Sequence, residues 1–330
     1  MTTTALPAAI QWSNVQVNEQ IAAAVREGLA SHPKRLPPWL FYDEAGSRLF
    51  DAITELPEYY LTRTERGILS THAAAIVSQA ADGLHLRIVE LGAGSADKTR
   101  LLLSAAVDRQ GSVLYEPLDV SSTALAAAQQ RIELEIPGVT VAPRVEDYTQ
   151  SLVLDPLGEG ERRLLLYIGS SIGNFEPHEA SRLLHLVRAG LEPGDSLLLG
   201  VDLVKDEQTL LAAYNDAAGV TAAFNRNLLV RLNRDLAANF DPQAFAHRAV
   251  WNAAESRIEM HLESPTPQRV RLAAIDLEVE FAPGESIHTE NSYKYPAGQP
   301  EAMLAEAGFT PTECWTDPQG WFAVCLAQAC

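Results

Sequence analysis

Arg87-Ile88-Val89-Glu90-Leu91-Gly92-Ala93-Gly94-Ser95-Ala96-Asp97-Lys98 decides the fold of this chain: an apolar run breaks into two closely spaced glycines, and Thr99-Arg100-Leu101-Leu102-Leu103 then carries a helical pattern. The stretch reads as a first parallel strand turning into a helix. Glycine is required because a side chain in that turn would keep a ligand from the backbone, while the helix that follows offers unpaired N–H groups. A nucleotide or nucleoside is the expected ligand, although a tight strand-to-helix turn with no ligand has the same local pattern.

Spacing narrows the choice. A dinucleotide site wants G-x-G-x-x-G, and here Asp97 occupies the third glycine position. Glu90-Leu91-Gly92-Ala93-Gly94 instead resembles the E/D-x-G-x-G opening of class I S-adenosylmethionine (SAM) methyltransferases.

Downstream of the loop, Ser112 to Asp119 is a second strand with Asp119 at its carboxyl end, placed to accept both hydroxyls of a ribose. Glu116 is a rival for that role, but Pro117 after it leaves it in the strand, so Asp119 is preferred. A helix over Ser121–Glu135, a strand at Val139–Ala142 and its exit through Asp147 and Tyr148 follow; a carboxylate at that exit suits an adenine amino group. Leu164 to Ile168 is an uninterrupted apolar run of the kind expected for a central strand covered on both faces. It gives way to small and polar residues, which makes Gly169 and Asn174 site candidates. A helix over Ala180–Gly190 and a strand from Ser196 to Asp202 complete five β/α repeats. After a helix at Pro300–Ala307, strands at Phe309–Asp317 and Trp321–Gln328 form a terminal hairpin. A nicotinamide domain would continue with a sixth parallel strand instead.

The fold class expected is therefore α/β: a Rossmann-like, seven-stranded class I SAM-methyltransferase sheet with a C-terminal antiparallel hairpin, plus an inserted α+β substrate domain. The SAM-binding domain is assigned to 63–204 and 294–330, the substrate-binding domain to 13–62 and 205–293. In the latter, residues 13–35 read as a helix, Glu207–Ala217 as another, Val220–Asn225 as a turn, and Arg257–Glu263, Val270–Ala273 and Asp276–Phe281 as strands. Residues 36–65 are rich in aromatics and prolines without sustained period, and Tyr42 and Tyr59 suit a pocket wall as well as a surface loop.

Composition bounds the partners. With 330 residues, 47% of them hydrophobic, the chain can bury a real core. A formal net charge of -18 argues against nucleic-acid binding, which needs clustered Lys and Arg. Three cysteines without a C-x-x-C pair and eight scattered histidines predict no metal and no disulfide framework. Met1–Trp12 has no basic segment leading into an apolar one, so a cytoplasmic protein without membrane contact is expected, and a monomer.

Longer motifs add a resemblance to the SAM-dependent histidine Nα-methyltransferases of ergothioneine biosynthesis. They are Phe41-Tyr42-Asp43 with Gly46-Ser47, Leu56-Pro57-Glu58-Tyr59-Tyr60, Gly169-Ser170-Ser171-Ile172-Gly173-Asn174, Asp202-Leu203-Val204-Lys205-Asp206, Ala217 to Asn227, and Thr289-Glu290-Asn291-Ser292. The resemblance covers nearly the whole chain. It implies transfer of three methyl groups from SAM to the α-amino group of L-histidine, giving hercynine and S-adenosylhomocysteine (SAH). It also implies that Gly92, Gly94, Lys98, Asp119, Asp147 and Tyr148 contact SAM. Tyr42, Tyr59, Gly169, Asn174, Tyr214, Met260, Glu290 and Ser292 would then line the histidine site, with Tyr42 and Tyr59 closest to the chemistry. Ala93 and Ser95 depart from the Ser and Thr common in relatives. Asn174 and Tyr214 offer neutral donors for a carboxylate, and Glu290 with Ser292 can hold an imidazole. By residue type alone Met260 is core filler and Glu290 a solvated charge. The rivals are an enzyme of the same fold acting on another amino acid and a non-catalytic SAM-binding protein.

Overall fold

The computed structural model describes residues 9–330, with side chains from Glu19 onward; of the Met1–Trp12 reading, Met1 to Ala8 lie outside the described residues. Two compact units emerge. The larger comprises Pro57–Leu210, Asn252–Ile258 and Asn291–Cys330; the other holds the described residues up to Leu56, Leu211–Trp251 and Glu259–Glu290.

In the larger unit, strands β1 (His85–Leu91), β2 (Val113–Asp119), β3 (Val139–Val141), β4 (Glu161–Tyr167), β5 (Ser196–Asp202), β6 (Phe309–Thr316) and β7 (Phe322–Ala329) are hydrogen-bonded in the order β6-β7-β5-β4-β1-β2-β3. A two-residue strand, Arg144–Val145, pairs with β2 beyond the end of β3. Strands β1 to β5 are parallel, while β7 runs antiparallel to β5 and to β6. This is the class I SAM-methyltransferase sheet expected from the sequence. The apolar run does what its composition requires: Leu164 to Tyr167 and all seven residues of β5 are buried, at roughly 1.5–3 kcal/mol for each large apolar side chain.

Helices α1 (Tyr60–Ala81), α2 (Thr99–Gln110), α3 (Ser122–Glu135), α4 (Pro177–Gly190) and α5 (Gln299–Glu306) belong to the same unit. Local signals set their starts. Ser121 Oγ accepts from Ala124 N at the head of α3, and Pro177 opens α4 inside a Glu176/Glu179 capping box. That box places the start of α4 three residues ahead of the expected Ala180.

One expectation is corrected here. Cys314 and Cys325 sit directly opposite each other in the β6–β7 register and are joined in a disulfide. Ten intervening residues carry no disulfide signature in sequence; only the hairpin pairing puts the two side chains face to face.

A second, four-stranded sheet runs in the order Lys34–Arg35, Glu285–Tyr293, Arg257–Ser264, Ala246–Asn252, and Gln268–Leu272 pairs with Leu277–Phe281 in a hairpin of the smaller unit. The helix at the chain start is Ala9–Ala30, ending before Pro33. Two further helices were not legible as such: Glu44–Thr54, and Val220–Leu236 where a turn was expected. The second buries Asn225, Asn227 and Arg231 among its apolar residues, which blurs the amphipathic period used to recognise a helix.

Candidate active site

The carboxyl edge of the parallel strands is where an open α/β sheet takes its ligand, and the chain order reverses beside β1. Leaving β1, the backbone reaches positive φ at Gly92 (68°) and Gly94 (50°). Gly92 N donates to Leu118 O at 2.8 Å, and a Cβ at Gly92 would stand 3.0 Å from the Tyr148 hydroxyl. Both the dihedral and the close approach therefore call for glycine. Gly94 N donates to Asp119 Oδ2 (3.0 Å), and Ser121 N donates to Asp119 Oδ1 (2.9 Å). Asp119 thus meets the glycine loop. Its rival Glu116 is buried beside Arg87, 3.9 Å away, where burial raises its pKa.

Glu90, the acid of the motif, turns inward. Its carboxylate accepts from Thr99 Oγ1 at 2.8 Å and from the Tyr115 hydroxyl, fastening the first turn of α2 to the neighbouring strand. Burial pushes its pKa up to about 7 against the opposing effect of those hydrogen bonds.

Lys98 leads to a residue that the sequence reading left unassigned. Its Nζ donates to the buried carboxylate of Glu65, whose Oε1 also accepts from Gly169 N at 2.8 Å. Gly200 makes room for this group, since a Cβ there would lie 2.1 Å from Glu65 Oε1. A signal was present: Glu65 stands four residues after Leu61 and four before Leu69, in the buried stripe of α1. Asp147 is exposed and accepts from Thr149 N and Oγ1 (3.0 and 2.6 Å), whereas Tyr148 is half-buried, edge-on to Tyr167. Burial raises the pKa of Tyr148, so its hydroxyl stays protonated.

After β4 the chain passes Gly169 into a single helical turn, Ser171–Asn174. Asn174 Nδ2 donates to Asn291 O (2.9 Å), and Glu176 accepts from Asn291 Nδ2 (2.9 Å) and the Tyr293 hydroxyl (2.7 Å). These bonds set the segment Asn291–Tyr293, in which Ser292 is buried with its Oγ accepting from Lys294 Nζ at 2.9 Å. Tyr59 is buried at the head of α1.

The smaller unit carries the other candidates. Tyr42 is 38% exposed and packs edge-on to Phe50 and Phe224. Next to it, Asp43 caps the helix Glu44–Thr54 by accepting from Gly46 N, and also accepts from Asn227 Nδ2 and Arg234 Nη1. Burial alone would raise the Asp43 pKa; these donors hold it below the usual range. Gly46 is needed because a Cβ would fall 1.8 Å from Phe41 O. Asn225 is a buried hub. Its amide donates to His261 O and to His247 Nδ1, and its Oδ1 lies 2.9 Å from Thr289 Oγ1, which also reaches Met260 O. His247 in turn donates from Nε2 to the Tyr214 carbonyl (2.8 Å), so burial keeps it neutral with its proton there. One amide thereby ties the backbones carrying Tyr214 and Met260. Met260 falls in the buried set of its strand with Ile258 and Leu262; Glu290 falls in the half-buried set of its own, with His288. Glu259, His261 and His288 bring one ligand atom each within 4.8 Å of one another, and Glu259 accepts from His261 Nε2 (3.2 Å).

Residues 21–329 match the family described as "Histidine-specific methyltransferase, SAM-dependent". Among curated proteins, the chain is 49% identical over 310 residues to a histidine N-alpha-methyltransferase of Mycolicibacterium smegmatis, covering 94% of this chain and 95% of that one. It is 46% identical over 304 residues to the protein of that name from Mycobacterium tuberculosis, covering 92% and 93%. With ergothioneine biosynthesis protein 1 of Neurospora crassa it shares 28% identity over 303 residues, 86% of this chain and 32% of that one.

Proposed function

This chain belongs to the SAM-dependent, histidine-specific methyltransferases, and from that premise we propose that it transfers three methyl groups from SAM to the α-amino nitrogen of free L-histidine, giving hercynine for ergothioneine biosynthesis. The observation that carries this reading is the match across residues 21–329, with near-half identity to enzymes of that name over almost their full length.

The residues at the sheet edge fit the methyl donor. The loop at Gly92 and Gly94 admits close approach to the backbone, Lys98 supplies a cation for the donor's carboxylate, Asp119 supplies two acceptor oxygens for the ribose, and Asp147 with Tyr148 takes the adenine. SAM supplies an electrophilic methyl on its sulfonium. The chain's task is then alignment and exclusion of water around an in-line displacement.

Histidine is held at both ends: its carboxylate by Asn174 and Tyr214, its ring by Glu290 and Ser292, with Met260 against the ring. The attacking amine has to be neutral, and a neighbouring positive charge favours that form. Tyr42 or Tyr59 passes the proton to solvent. Phenolic oxygens and ring faces tolerate the growing methylammonium, so one site serves all three transfers. Mass spectrometry of L-histidine incubated with the protein and excess SAM tests this directly. Hercynine is expected as the end product; accumulation of the monomethyl compound alone would overturn the three-transfer reading.

A further inference from the structure

The C-terminal hairpin gathers sulfur and oxygen at the β6 edge of the sheet, where the site described so far has no part. Cys314 of the edge strand β6 is registered opposite Cys325 of β7. Helix α5 covers the same face: its Leu304 and Cys325 belong to one buried cluster, against which Met303 and Cys314 pack. Glu301 stands three residues before Leu304, one turn back on that side of the helix. Its Oε2 is a buried oxygen without a hydrogen-bond partner among the described residues. Glu301, Cys314 and Cys325 each bring one ligand atom, and these atoms lie within 4.8 Å of one another.

A buried carboxylate oxygen calls for a proton donor or a cation, and a disulfide offers it neither. Reduction changes that. Two thiolates and a carboxylate on one face are a donor set that zinc takes, with a fourth position left for water. We propose that the dithiol form of Cys314 and Cys325, together with Glu301, is a zinc site, and that the ion fastens α5 to the hairpin when the disulfide is open. Opening the disulfide takes two electrons and two protons from a dithiol reductant, which closes to its own cyclic disulfide. Binding then releases both thiol protons to solvent, because the thiolate is the ligand. Zinc bonds sulfur at about 2.3 Å and carboxylate oxygen at about 2.0–2.2 Å, so rotation about the Cα–Cβ bonds parts the sulfurs and seats them on one ion. Strand register rather than C-x-x-C spacing brings these cysteines together, so no zinc signature stands in the sequence. The site is independent of the methyl-transfer reading and adds no step to it.

The test uses the full chain with Cys330→Ser, which removes the exposed third thiol. One portion is reduced with dithiothreitol and the other oxidised with glutathione disulfide; each is desalted without air, and thiol titration confirms the two states. Equilibrium dialysis against micromolar zinc gives one more zinc per reduced chain than per oxidised chain. Cobalt(II) added to the reduced chain gives a thiolate-to-metal charge-transfer band that the oxidised chain lacks. Partners outside the ligand shell are worth ten- to a hundredfold, so loss of a thiolate in Cys314→Ser or Cys325→Ser weakens zinc binding at least about a hundredfold. Glu301→Gln keeps an oxygen but not its charge, and binding falls about tenfold with the cobalt band retained. Free zinc at about a hundred times Kd raises the melting midpoint of the reduced chain by roughly 5–10 °C, and the rise is lost in Cys325→Ser.

Equal zinc uptake by the reduced and oxidised chains, or a cobalt complex of the reduced chain without the thiolate band, overturns the proposal. Glu301→Gln binding zinc within twofold of the parent removes the carboxylate from the site and overturns it as well. The comparison of the two redox states needs no substitution at the three ligands, so it decides even if none of those variants folds. Hercynine formation is unaffected by any of these results.

Discussion

Replacing Glu65 with alanine tests the buried core of the donor site. The substitution leaves two groups without their partner: the Gly169 N–H, bonded at 2.8 Å, and the Lys98 ammonium, whose side chain is only 19% exposed. An unsatisfied buried N–H costs about 1–3 kcal/mol, and losing one member of a buried ion pair about 3–5 kcal/mol. Partial exposure lets water reach Lys98, which places the sum near the lower end, at about 3 kcal/mol. For a unit of this size 1 kcal/mol moves the melting midpoint by roughly 2–4 °C, so a fall of roughly 6–12 °C is expected in a thermal melt. Lys98 also loses the group that fixes its direction, and SAH affinity should drop about tenfold, near 1.4 kcal/mol, by calorimetry. Gly200→Ala should act in the same direction, because its Cβ would stand 2.1 Å from Glu65 Oε1. A Glu65→Ala protein that melts within 2 °C of wild type and binds SAH within twofold would refute the assignment of Glu65 as the anchor of Lys98 and Gly169.

Two further expectations follow from the same geometry. Burial raises the Glu90 pKa to about 7 from a model-peptide value of 4.5, so between those limits the folded state holds a proton that the unfolded state has released. Stability from this group is then greatest below the lower value and declines as pH rises through the window, by on the order of 3 kcal/mol at most. Urea unfolding from pH 5 to 7.5 should show a flatter profile for Glu90→Gln than for wild type; parallel profiles would count against a buried, protonated Glu90. In the substrate site, Glu290→Ala should weaken histidine binding at least tenfold while SAH binding stays within twofold, and unchanged histidine affinity by calorimetry would remove Glu290 from the site.

The elements that were legible from sequence share one property: their evidence is local. A run such as Leu164 to Tyr167 has to be a strand covered on both faces, and the glycines at 92 and 94 have to mark a turn, whatever surrounds them. The β/α alternation and the terminal hairpin follow from such runs taken in order. Val220–Leu236 escaped because its buried polar residues are paired by distant groups: Arg231 with the carbonyl of Leu40, Asn225 with Thr289. A pattern that assumes polar means exposed misreads a helix of that kind.

By itself the sequence determined the class of sheet, the position of the glycine loop and, through long motifs, the family. Tertiary structure alone decided which polar groups meet. Glu65 and Gly169 are 104 residues apart, and Asp202 finds Lys294 across a comparable span; Cys314 and Cys325 face each other only because their strands pair in one register. The physical reason is that backbone preference and hydrophobic period act over a few residues, whereas the partner of a buried charge is set by strand order and register, which no short window of sequence contains.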